Sequence, residues 1–117
     1  ERGELAASYR GRPQLDVGPR TDVLDGCPKA MAVPMLLRAM TPQVIALDEL
    51  ALDEDARAVR SAAGCGAVLL ATAHAASPEE LARRPALAGL LAGDIFRRTV
   101  TISGAGADRT YRVEALP

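Results

Sequence analysis

Two short apolar runs in this sequence end in side chains suited to work on phosphate. The first is Val44-Ile45-Ala46-Leu47, followed at once by Asp48-Glu49. Adjacent carboxylates leaving a strand can divide a hydrolysis between them. Asp48 can hold Mg²⁺, usually through water, and Glu49 can orient or deprotonate the attacking water. The second run is Gly66-Ala67-Val68-Leu69-Leu70-Ala71, which ends in Thr72-Ala73-His74. His74 is the sole histidine, and an imidazole at a strand end beside the Thr72 hydroxyl can sense a phosphate. Arg20, next to Gly18-Pro19 in a polar stretch, can clamp a phosphate or act across a subunit boundary as an arginine finger. Each group also has a plainer reading: acids that merely leave a strand, a solvent-facing histidine, a solvated loop arginine. Arg83-Arg84 best suits a solvated helix end, where cations complement the dipole.

These groups act together only if the elements carrying them deliver them to one rim. In open parallel sheets that rim lies beyond the carboxyl ends of the strands. Val44–Leu47 and 66–71 read as two strands buried on both faces, as in a parallel sheet. Helical segments alternate with them. One is expected over 28–40, where Pro28 suits a first turn and Met31, Met35, Leu36 and Ala39 form an apolar stripe, the methionines being core. Pro34 should kink it or delay its start. Asp53-Glu54-Asp55 opens a second helix, with Gly64 as its stop. Ser77-Pro78-Glu79-Glu80 is a capping box for a third, halted by Pro85, and a short fourth covers 86–91 with Gly93 ending it. Residues 95–102 and 111–113 read as strands joined through a glycine-rich turn. The polar stretch 8–27 is too densely punctuated by Gly and Pro for a helix. It has room for a small hairpin, with Leu15–Val17 and Thr21–Leu24 as strands. The alternation predicts an α/β fold with a mostly parallel sheet and an antiparallel edge.

Composition narrows the function classes. The 117 residues suffice for one domain, and 14 basic against 15 acidic residues give a net charge of −1. That balance argues against nucleic acid as a partner. Thirteen of the basic residues are Arg, Lys29 being the exception. Cys27 and Cys65 stand in no metal-ligand spacing and fit a reducing compartment. No apolar run approaches the roughly 18 residues of a membrane span, and no signal peptide is visible. The opening Glu1-Arg2-Gly3-Glu4 lacks an initiator Met, which leads us to expect a piece of a longer chain.

The runs Glu1-Arg2-Gly3-Glu4-Leu5-Ala6 and 16–30 (Asp-Val-Gly-Pro-Arg-Thr-Asp-Val-Leu-Asp-Gly-Cys-Pro-Lys-Ala), with Met40-Thr41-Pro42-Gln43-Val44-Ile45-Ala46-Leu47-Asp48-Glu49 and Thr72-Ala73-His74, resemble the stage III sporulation protein AA family. The likeness extends to about Val113, and the loop motif is more specific than the acid pair. That family resembles the secretion ATPases, P-loop enzymes that form rings, commonly hexamers. The resemblance implies the C-terminal part of a RecA-like ATPase core over 1–117: an Asp-box-like strand end at 1–6, the polar loop 8–27, a Walker B segment at 44–49 and a His box at 68–74. It implies ATP and Mg²⁺ as ligands, with Glu1, Arg2, Glu4 and Thr72 on the nucleotide, Asp48 on the metal, and Glu49, His74 and Arg20 in catalysis. It further implies self-association and partners in a membrane channel or secretion complex, at the cytoplasmic face of that complex.

Three departures stand out. The chain contains no Gly-x-x-x-x-Gly-Lys-Ser/Thr motif, so the backbone cradle and lysine for the β and γ phosphates are missing from it. Pro34 and the Ala-rich Leu50-Ala51-Leu52-Asp53 also break the family pattern. These 117 residues alone are therefore expected not to hydrolyse ATP. The alternative is a non-catalytic, degenerate P-loop module serving assembly. A dinucleotide site or receiver-like domain fits less well, since no glycine-rich turn leads from a strand into a helix.

Overall fold

The computed structural model describes residues 3–92 and 95–116; the stop assigned to Gly93 and the roles given to Glu1 and Arg2 lie outside them. After a 3-10 turn at Glu4–Ala6, the elements run α1 (Lys29–Met40), β1 (Val44–Leu47), α2 (Asp53–Gly64), β2 (Val68–Ala71), α3 (Pro78–Ala82), α4 (Pro85–Leu91), β3 (Arg98–Ser103) and β4 (Thr110–Ala115). The alternation read from the sequence is present, and the fold is mixed α/β. The sheet is smaller than expected. β1 and β2 form a parallel pair, and β3 and β4 form a separate antiparallel pair that does not join it.

Several boundaries follow local chemistry. Pro28 supplies the carbonyl that receives the Met31 and Ala32 amides and so opens α1. The helix runs unbroken through Pro34. The proline forfeits one bond to Ala30, and the start of the helix is not delayed. The Ser77 hydroxyl accepts the Glu80 amide at 3.2 Å, and Pro78 sits in the first turn of α3, as the capping box implied. Gly104 turns the hairpin at φ +80°, where a Cβ would lie 2.5 Å from the Asp108 carbonyl oxygen; only glycine fits there.

One hydrophobic core holds the larger body together. Val33 of α1, Ile45 and Leu47 of β1, Ala56, Val59 and Ala62 of α2, and Leu87 and Leu90 of α4 are buried in a single cluster. Leu69 and Ala71 of β2 pack against it. The parallel register pairs Val44 with Val68 and Leu47 with Ala71, so alternate residues of both strands face this core. The other face is bare: Val44, Val68 and Leu70 are 56%, 64% and 60% exposed. The expectation of strands buried on both faces is thus corrected. α2 and α4 lie on one side only, and nothing among the described residues covers the other.

Two further expectations fail. The methionine stripe of α1 is not core: Met31, Met35 and Met40 are exposed, and the helix instead buries Lys29, Ala32 and Val33. Helical periodicity identified a helix but not which face turned inward, because α1 docks on α2 through its small residues. No strand forms at 15–17 or 21–24; the polar stretch contains only an isolated bridge between Tyr9 and Arg12. Among the described residues, no helix is long and apolar enough to cross a membrane.

Candidate active site

The parallel pairing brings the ends of β1 and β2 side by side, and the hydrogen bonding continues beyond them. The Thr72 amide donates to the Leu47 carbonyl at 3.0 Å, and the Leu50 amide donates back to the Thr72 carbonyl at 2.8 Å. Between these bonds Asp48 and Glu49 bulge from the ladder. The Thr72 hydroxyl accepts the Glu49 amide at 2.9 Å. Glu49 is held at φ +43°, a left-handed conformation that costs a non-glycine residue about 1–2 kcal/mol. Such backbone persists only where the surroundings over-determine it, and it concentrates at functional sites.

The two acids have different environments. Asp48 is buried, 6% exposed, whereas Glu49 is half-buried. The Asp48 carboxylate accepts the Glu4 amide at 3.3 Å. Burial works to raise the pKa of Asp48, while the Glu4 amide and the Lys29 charge favour its ionised form. A buried, ionised carboxylate suits a cation, and a partly exposed one beside it suits a water.

The other sequence-derived residues are arranged as follows. Thr72, just after β2, is joined to the acid turn through the bonds just described. His74 follows two residues later on an exposed segment. Arg20 is exposed, and with Thr21, Asp22, Lys29 and Asp48 it lines an open cavity of about 670 Å³ along β1. That volume falls within the usual range for small-molecule sites. Glu4 lies in a 3-10 turn, which corrects the expected strand end there. Its contact with the site is through its amide.

Sequence reasoning missed Lys29 and Asp55 as parts of this site. Both are buried, and the Lys29 ammonium lies 3.6 Å from an Asp55 carboxylate oxygen. The other Asp55 oxygen accepts the amides of Ala51 at 2.8 Å and Leu52 at 3.0 Å. A signal for Lys29 existed, since it is the single lysine in an arginine-rich chain. Asp55 was indistinguishable from Asp53 and Glu54 in the same acidic turn.

As to Mg²⁺, no group of three or more His, Cys, Asp or Glu side chains able to hold a metal occurs among the described residues. Asp48 alone fits a magnesium ion that keeps most of its water and takes further ligands from phosphate, the usual habit of that ion.

Comparison with known proteins places the sequence in a family. The family described as sporulation stage III, protein AA matches residues 1–113. Stage III sporulation protein AA of Bacillus subtilis (strain 168) is 40% identical over 105 residues, which cover 90% of this chain and 34% of that protein. The chain thus spans about a third of the length of the curated relative it matches. No solved structure matches it. On a match that runs through nearly the whole sequence, this chain belongs to the sporulation stage III protein AA family.

Proposed function

We propose that this chain is the acid-pair-bearing part of a Mg²⁺-dependent, ring-forming ATPase core. Membership of the family supports a role in stage III of sporulation. The observation that carries the enzymatic reading is the acid turn: Asp48 buried, and Glu49 beside it half-buried at φ +43° with its amide held by Thr72 at the end of the neighbouring parallel strand. When bound, Mg²⁺ would neutralise charge on the β and γ phosphates. Asp48 would hold it, and Glu49 would orient the attacking water and take its proton. Thr72, His74 and the side chain of Arg20 would meet the phosphates, with Glu1, Arg2 and Glu4 nearer the nucleotide. Partners in a membrane channel or secretion complex would be met at its cytoplasmic face.

In the whole protein, Glu49→Gln should lower ATP turnover by about 10²–10⁴-fold, the usual contribution of a positioned base, while ATP remains bound. Steady-state hydrolysis with and without Mg²⁺, alongside equilibrium nucleotide binding, measures both. Unchanged turnover would remove Glu49 from the mechanism.

A second reading is a non-catalytic assembly module. Absence of any Mg²⁺-dependent ATP hydrolysis by the whole protein would select it.

A further inference from the structure

We infer that Lys29 is a positioning residue for the acid pair: together with Asp55 it sets the backbone of the turn that presents Asp48 and Glu49. The inference rests on the reading of that turn as catalytic.

Four successive amides of the turn are held by two anchors. Thr72 takes the Glu49 amide on its hydroxyl and the Leu50 amide on its carbonyl. Asp55 takes the Ala51 and Leu52 amides on one carboxylate oxygen. The first anchor belongs to the neighbouring strand and needs no further support. The second is a carboxylate inside the protein, 7% exposed, and a buried charge is tolerated only when paired. Lys29, 6% exposed and 3.6 Å away on α1, supplies the opposite charge. Removing it would leave the Asp55 carboxylate buried without its counter-charge, and a carboxylate that turns out to water releases the amides it holds.

A wholly structural contact between α1 and α2 would be served as well by apolar side chains, which often replace buried ion pairs without loss. Two features argue for more than adhesion. Asp55, at the third position of α2, accepts the Leu52 amide that begins its helix and on the same oxygen the Ala51 amide of the preceding turn. Lys29 also lines the same cavity as Asp48, and its charge acts on the Asp48 carboxylate as well as on Asp55. The left-handed Glu49 backbone is the conformation such a two-sided clamp would maintain.

The test uses the whole protein with Lys29→Met, which removes the ammonium facing Asp55 and leaves a side chain of similar volume. Two quantities are read: amide hydrogen exchange at residues 49–52 against that of α2, and kcat against KM for ATP. Exchange at 49–52 should quicken about tenfold or more with α2 unchanged, the mark of a local opening. The kcat should fall by about tenfold to 10²-fold, the scale of a small misplacement of catalytic groups, with KM for ATP little altered. Lys29→Arg, which keeps the pair, should stay near wild type in both. If that variant does not fold, the same readings are taken on Lys29→Met/Asp55→Ala, which removes the acceptor together with the charge. A folded variant with wild-type exchange at 49–52, or with quickened exchange and wild-type kcat, overturns the inference. If the wild-type protein hydrolyses no ATP, the ATPase reading falls by itself, and exchange at 49–52 alone decides whether the pair sets the turn.

Discussion

The two strand pairs of this protein differ in a way their lengths do not suggest. β1 and β2 match four residues each, whereas β3 and β4 match six. The shorter ladder is nevertheless the better anchored. One face of β1–β2 lies on the core formed with α2 and α4, and the ladder ends in a turn whose amides are held by Thr72 and Asp55. The longer pair packs mainly on itself. Val100 and Ile102 lie opposite Val113 and Tyr111 across the hairpin, and all four are exposed. A two-stranded hairpin is marginal alone in water. Anchorage therefore comes from side chains removed from water rather than from the number of ladder bonds, each of which is worth only about 1 kcal/mol net. The residues that could do chemistry stand at the end of the anchored pair.

The contrast can be broken most directly by truncating one side chain in each region. Leu87→Ala, at a position 2% exposed in the core, should cost about 2–5 kcal/mol by transfer and cavity formation. Val113→Ala, 64% exposed on the hairpin, should cost about 0.5 kcal/mol or less. Denaturant melts of the two variants measure both, and equal losses would mean that the hairpin is packed after all. A smaller effect sharpens the role of the clamped turn. Glu49→Gly relieves the left-handed backbone, worth about 1–2 kcal/mol, against the added freedom of glycine in the unfolded chain, about 0.5–1 kcal/mol. The variant should therefore melt no lower than wild type while losing turnover in the whole protein. A lower melting temperature would show that the Glu49 side chain, not the strain, governs the turn.

The smallest effect concerns pH and tests the start of α3, outside both strand pairs. The Glu80 carboxyl lies below its ordinary value, chiefly because the Ala76 amide donates to it and then because Arg84 pairs with it at 3.1 Å. A carboxyl held low in the folded state contributes stability above its unfolded pKa and loses it as pH falls through the folded one. The start of α3 should thus loosen below the ordinary carboxylate range while β1–β2 stays intact. The pH dependence of the Ala76 amide chemical shift follows this, and Glu80→Gln should remove it.

Much of this protein was legible along the chain because the relevant signals are local. Ser77-Pro78 with Glu80 marks the start of α3, Pro28 marks the start of α1, and an abrupt change from apolar to acidic marks the end of β1. These rest on hydrogen bonds and sterics within a few residues, which the chain carries wherever it folds. The strand ends carrying Asp48 and Thr72 could be placed on one rim for the same reason, since alternation with helices forces a parallel pairing. Other features depend on partners distant in sequence. Only packing decided that α1 turns Lys29, Ala32 and Val33 inward and leaves its methionines in water. Likewise only packing left one face of β1–β2 bare, and kept the hairpin out of the parallel sheet. The pairing of Lys29 with Asp55 joins residues of two helices, and no spacing rule connects them. A sequence specifies which groups must be satisfied when buried. Which of them are buried, and by whom they are satisfied, is settled when distant segments meet.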